Sequence, residues 1–129
     1  MKIDLNNPDK PLFLLIAEAI EDNILKGVFE EETQIPSSTE ISISFKINPA
    51  TSNKGVNLLV DEGIIYKKRG IGMFVTSGAK EKIRKKRYGD FYEKYIIPLY
   101  EEGKKLEITE QELDFLLKKG KENEYNKNN

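Results

Sequence analysis

The chain has 129 residues, 38% of them hydrophobic and 33% charged, with a net charge of -1 and neither Cys nor His. That length suits one domain, or one small domain with an arm. The missing residue types exclude disulfides, thiol nucleophiles, Cys/His zinc sites and the usual imidazole general base, leaving carboxylates and lysines as the only plausible catalytic groups. No catalytic residue, metal or cofactor is expected.

Met1 to Lys10 is polar, with Asn6-Asn7-Pro8-Asp9 as a turn-rich lead, and is expected to be loosely held. From Pro11 onward Leu12, Ile16, Ile20 and Ile24 recur every fourth position with Leu15 and Ala19 beside them, which predicts an amphipathic helix ended by Gly27. Glu18, Glu21 and Asp22 would form its outer face and be repelled from a polyanion. Glu30-Glu31-Glu32 reads as a solvated connection, because adjacent loop carboxylates do not converge on a metal without distant ligands. Thr33-Gln34-Ile35 reads as a short strand.

Ser37-Ser38-Thr39-Glu40 is a capping box that starts a short helix, with Ile41 and Phe45 as its apolar stripe. Asn48 is a good N-cap and Pro49 suits the first helical position, so a second helix runs from about Pro49 to Glu62 with Gly63 as its stop. Val56, Leu59 and Val60 mark its buried side, joined by Ser52 and Gly55. Asn48, Ala50, Thr51, Asn53, Lys54 and Asn57 are left on the other side. Two helices so close in sequence cross steeply, as in a helix-turn-helix. After Gly63 the period becomes extended: Ile64-Ile65-Tyr66 and Met73-Phe74-Val75 flank Lys67-Lys68-Arg69-Gly70-Ile71-Gly72, a hairpin with three cations on its tip.

The fold class expected is therefore mainly α with a small β-wing: a winged helix-turn-helix over residues 1–76, a shape that places one helix in a DNA groove. Asn can pair bidentately with adenine and Lys can approach guanine or phosphate, so Asn53 and Lys54 are expected in the major groove. Thr39, Lys67, Lys68 and Arg69 are expected on the backbone or minor groove, and Thr51 on phosphate or as a cap. Ser37, Asn48, Pro49, Ala50 and Gly70 complete the expected contact set. Charge supports this division: residues 1–35 carry three Lys against eight acids, 36–76 five basic against three acidic, and 77–129 thirteen against eleven. The motif is locally positive while the total stays near neutral.

Thr76-Ser77-Gly78 reads as a linker into a helical arm over residues 77–120. Lys80, Lys82, Arg84, Lys85, Lys86 and Arg87 are either a solvated helix start or extra attraction for phosphate. Ile83, Tyr88, Phe91, Tyr95 and Leu99 then lie along one side, Tyr92 and Ile96 next to it, as far as about Gly103, with Pro98 kinking or ending the helix. Thr109-Glu110-Gln111-Glu112 is a second capping box, with Ile108 and Leu113 as its staple. Leu113, Leu116 and Leu117 mark a last helix to about Lys119, and the tail 121–129 is expected to be disordered. Two such helices cannot bury a core alone, so this stripe is expected to be a dimer interface. A small-molecule pocket lined by Tyr88, Tyr92, Tyr95 and Tyr100 is the alternative.

Residues 11–75 resemble the DNA-binding domain of the GntR family of bacterial transcription regulators. The matching pieces are Pro11-Leu12-Phe13, Gly27, Ile35-Pro36-Ser37, Glu40, Thr51, Leu59, Glu62-Gly63-Ile64, Arg69-Gly70 and Gly72-Met73-Phe74-Val75. Ile47-Asn48-Pro49-Ala50-Thr51 is similar to the version in the short YtrA-like branch. The chain departs from the family at Thr39, where Arg is usual, at Pro49 and Asn53, where many members are basic, at Glu32, usually Gly, and at Gly55, usually Ala. The resemblance implies a sequence-specific repressor of transporter or envelope-stress operons that responds to a small-molecule effector. It also implies a homodimer, joined through the arm, on a palindromic double-stranded DNA operator with half-sites about 34 Å apart or a multiple of that. The alternative reading is a winged-helix adaptor whose motif binds protein. An enzyme is disfavoured, since Gly70-Ile71-Gly72 sits on a hairpin rather than before a helix. With no apolar run near the roughly 20 residues of a membrane span and no signal-peptide core, the expected place is the cytoplasm, away from the membrane.

Overall fold

The structure, a computed structural model, describes residues 1–7 and 9–127, so Pro8 and the last two positions of the tail lie outside the described residues. It divides into two units, Met1–Arg87 and Tyr88–Asn129.

In the first unit α1 (Leu12–Leu25) buries Leu15, Ile16, Ala19, Ile20 and Ile24 as its spacing predicts, while Leu12, the first of that series, is only partly buried. Ala17 and Glu21 are buried with them. Gly27, at φ 80°, turns the chain out of the helix. β1 (Gln34–Ile35) leads to α2 (Ser38–Phe45), which opens on the expected box. Ser37 Oγ accepts from the Glu40 amide at 3.1 Å, and the Glu40 carboxylate accepts from the Ser37 amide at 3.4 Å. Lys46, at φ 55°, closes that helix. α3 (Pro49–Asp61) is capped by Asn48, whose Oδ1 accepts from the Ala50 amide at 2.8 Å.

The buried side of α3 is Ser52, Gly55, Val56 and Leu59. Gly55 faces α1 so closely that a Cβ there would stand 2.7 Å from the Phe13 carbonyl oxygen, which accounts for Gly at a position where Ala would be expected. β2 (Ile65–Lys68) and β3 (Gly72–Val75) form the hairpin, and β1 pairs on the free side of β3 to give an antiparallel sheet in the order β1-β3-β2. Its register sets Ile35 against Met73 and Ile65 against Val75, all four buried.

Several expectations are corrected in this unit. Met1 and Ile3 are not loose: both are partly buried against the core. Glu30-Glu31-Glu32 is more than a solvated loop. Glu32 takes the left-handed conformation (φ 64°) where Gly would be usual, and its carboxylate accepts from the Tyr66 hydroxyl at 2.9 Å and the Ser77 amide at 3.0 Å. Glu31 accepts from the Lys80 amide at 3.3 Å, at the start of α4 (Ala79–Phe91). Finally, Ile83 does not belong to the open stripe of the arm. It is fully buried beside Ala79 in the winged unit's core, where a second copy could not reach it.

The second unit holds the end of α4, a π-helical turn (Tyr92–Ile96), α5 (Ile97–Lys105) and α6 (Glu110–Lys127). Pro98 does not end the helix. Its missing N–H falls just after a wide turn in which the Ile97 amide reaches back to the Tyr92 carbonyl, so the chain absorbs the proline and continues. Glu107, at φ 53°, reverses direction, and Thr109 and Glu112 cap α6 reciprocally at 3.1 and 3.2 Å. α6 passes the expected stop at Lys119 and is helical to Lys127, which corrects the expected disorder for 121–127. Among the described residues, none of the second unit's large hydrophobics is buried, and no helix of the chain is long and apolar enough to cross a membrane.

Candidate nucleic-acid interface

The crossing of α2 and α3 leaves Ala50, Asn53, Lys54 and Asn57 on one exposed face, along a shallow concavity of about 600 Å³ that Phe13, Leu58 and Asp61 also line. Thr51 is half-buried and does not line it. The two expected base readers both have intramolecular partners. Asn53 Oδ1 accepts from Ser38 Oγ at 2.5 Å, and Lys54 Nζ lies 4.1 Å from the centre of the Phe13 ring. Cation–π contact of this kind holds a long side chain in place at a cost small enough for a phosphate or base to compete. Ser37 and Asn48 spend their side-chain oxygens on the helix caps, so what they can offer a ligand is backbone and surface. Thr39, Pro49 and Ala50 are exposed at the starts of α2 and α3.

The wing differs from its expected form. Lys67 and Lys68 are strand residues of β2 opposite Met73 and Gly72, and consecutive strand residues point to opposite faces, so the three cations are not gathered on a tip. The tip is Arg69-Gly70-Ile71, closed by the Ile71 amide donating to the Lys68 carbonyl at 2.9 Å. Gly70 supplies the positive φ of 78° that this turn needs. Gln34 Nε2 donates to the Ile71 carbonyl at 3.0 Å and pins the tip to β1. Lys68 Nζ rests 4.4 Å from the centre of the Phe74 ring, which stacks on Tyr66 at 5.9 Å. The hydrogen bond to Glu32 raises the Tyr66 hydroxyl's pKa, with help from partial desolvation and the carboxylate's charge.

Three of the basic residues after the wing, Lys82, Lys86 and Arg87, turn onto their own unit. Lys86 Nζ contacts Glu21 at 3.0 Å and Glu62 at 2.6 Å. Arg87 contacts Glu21 at 3.1 Å and Asp22 at 2.7 Å, and also donates to the Glu18 carbonyl. Lys82 Nζ donates to the Gly63 carbonyl at 3.3 Å. Burial lowers the pKa values of Lys86 and Arg87, but the hydrogen bonds and charges of Glu62, Glu21 and Asp22 outweigh it and raise both. The acidic face expected to repel DNA is thus partly a clasp, with Glu21 only 2% exposed.

In the second unit Tyr88, Phe91, Tyr92, Tyr95, Leu116 and Leu117 are exposed, while Ile96, Leu99 and Leu113 are half-buried. The Phe91 and Tyr95 rings tilt against each other at 5.3 Å. Leu99, Tyr100, Ile108, Leu113, Leu116 and Leu117 line a largely apolar groove of about 730 Å³ between α5 and α6. Of the four tyrosines grouped as a pocket, Tyr100 lines this groove and the other three do not.

Sequence reasoning missed Ser38 as a partner of Asn53, Gln34 as the anchor of the wing tip, and Glu21 as the centre of the clasp. A local signal existed for Glu21 alone: it falls at helical spacing between Ala17 and Ile24, inside the apolar stripe.

Three helices with a three-stranded sheet, an exposed third helix and a projecting hairpin define a winged helix-turn-helix protein. The family model for bacterial regulatory proteins of the gntR family matches residues 14–75. A solved GntR-family protein from Bacteroides thetaiotaomicron is 32% identical, with 88% of this chain and 99% of that one covered and a TM-score of 0.71. The HTH-type transcriptional repressor YtrA of Bacillus subtilis is 31% identical over 70 residues, 54% of either chain. BusR from S. agalactiae, solved in complex with its busAB-promotor DNA, is 25% identical with a TM-score of 0.53, covering 93% of this chain and 58% of that one. The chain belongs to the GntR family of bacterial regulatory proteins. Its relatives are transcription regulators, not enzymes, and it spans from about a quarter to just over a third of the length of the first curated relatives it matches.

Proposed function

We propose that the chain is a transcriptional regulator that binds duplex DNA sequence-selectively as a homodimer on an inverted repeat, and that its action is repression. The observation that carries this reading is the outer face of α3, where Ala50, Asn53, Lys54 and Asn57 stand exposed together with no part of their own unit covering them. Such a face, beside a hairpin bearing Lys67 and Arg69, fits a major groove with a neighbouring phosphate backbone. Thr39, Pro49, Thr51 and Gly70 complete the surface offered to DNA. The exposed aromatics and leucines of the second unit support pairing, since an apolar surface of this kind without a core of its own is stabilised by a second copy. Repression rests on likeness to YtrA. The bacterial cytoplasm is where such a protein would meet its operator.

Selection from a random duplex pool at about 50 and 200 mM salt tests the proposal. The expected product is an inverted repeat with half-sites about 34 Å apart or a multiple of that, bound more weakly at the higher salt. No retention of duplex at the lower salt would contradict it and favour the protein-binding adaptor. That alternative draws on the exposed, uncharged positions Thr39, Pro49 and Asn53.

A further inference from the structure

The hydrogen bond between Ser38 and Asn53 has a consequence for which base α3 can recognise. A free Asn carboxamide offers one acceptor and one donor side by side, the pattern that pairs with the N6 amino group and N7 of adenine. Here Oδ1 is occupied by the Ser38 hydroxyl at 2.5 Å. Nδ2 has no partner among the described residues, and Asn53 is exposed, so the amide presents only its N–H groups outward. The adjacent Lys54 ammonium is likewise a donor without an acceptor, held on the same concave face by the Phe13 ring at 4.1 Å.

We infer that Ser38 is a positioning residue that sets Asn53 as a donor, and that the Asn53–Lys54 pair selects guanine rather than adenine in each half-site. Guanine shows two acceptors, O6 and N7, in the major groove, and nothing there opposes a donor. Adenine sets its own N6 donor against the Asn53 N–H. The inference rests on the reading of α3 as the DNA-facing helix. It adds to that reading the base chemistry of the site and brings in a residue from α2 that does not itself touch the base. Ser38 can take this part without disturbing α2, because the cap of that helix is made by Ser37 and Glu40.

The test is selection from a random duplex pool with the full chain and three variants, Asn53→Ala, Ser38→Ala and Ser38→Thr, each checked for an unchanged thermal melt. The wild type is expected to favour guanine over adenine about tenfold at one position per half-site. Asn53→Ala should weaken the guanine preference at that position alone, down to what Lys54 still confers. Ser38→Ala, which frees Oδ1, should bring adenine up to parity there, and Ser38→Thr, which keeps the hydroxyl, should restore guanine. Selection of adenine or cytosine by the wild type would mean that the carboxamide faces the other way, and would overturn the inference while leaving DNA binding intact. An unchanged preference in Ser38→Ala would overturn it too. No selection of duplex by the wild type would remove both this inference and the functional reading beneath it.

Discussion

Glu21 lies inside the apolar stripe of α1, and a carboxylate there is tolerable only because α4 brings Lys86 and Arg87 onto it. Removing both cations leaves a buried charge without a partner, which costs about 3 kcal/mol or more, whereas exposed pairs are worth well under 1 kcal/mol. Lys86→Met with Arg87→Met should therefore lower the free energy of unfolding obtained from urea titration by that order, and adding Glu21→Met should recover most of the loss. A double variant as stable as the wild type would refute the clasp. Tyr66 gives a second check at this scale. Its folded pKa is raised above 10.0 by Glu32, so the hydrogen bond's contribution is complete below that value and is lost as pH rises through the folded pKa. In an ultraviolet titration the wild type should show a late-ionising step that is absent from Tyr66→Phe; a late step that survives in Tyr66→Phe, or none in the wild type, would contradict the hydrogen bond. Lys86 has the same sign, so stability should also fall as pH rises above about 10.5.

At the level of elements, the wing is a hairpin whose cations are distributed along β2 and the turn. Lys67 and Arg69 project freely enough to meet phosphates, while Lys68 lies over Phe74. Alanine at Lys67 and Arg69 should flatten the dependence of log K on log salt by about 0.9 for each phosphate that the variant no longer neutralises, and alanine at Lys68 should change it less. Equal slopes for the wild type and the double variant would refute the wing as a DNA-binding element. The elements themselves were legible where a local rule fixes them. The fourfold spacing of Ile16, Ile20 and Ile24, the Ser37 box, the Asn48-Pro49 start and the Thr109 box each act within one or two turns, and each forms as expected. What escaped depends on partners distant in sequence. Glu21 meets Lys86 across 65 positions, Ser38 meets Asn53 across 15, and Gln34 meets the wing tip across 37. The period-four pattern also carried Ile83 into the arm's stripe, because spacing alone cannot tell which of two cores a helical residue faces. The cation run 67–69 misled for a related reason: adjacency in sequence is not adjacency on a pleated strand.

For the molecule as a whole, the first unit has its own core and the second presents aromatic and leucine side chains to solvent, an imbalance that pairing of chains would relieve. Tyr95→Glu with Leu117→Glu should yield a monomer by sedimentation velocity, with the winged unit's thermal transition retained and duplex affinity reduced at least about tenfold, since each half-site is then bound singly. A double variant that still sediments as a dimer would place the interface elsewhere. The most direct measurement is the sedimentation mass of the complex between the full chain and a duplex recovered from the random pool, taken at about 50 mM salt. Two chains on each duplex at saturation are expected; a single chain per duplex, or no complex at all, would contradict the account.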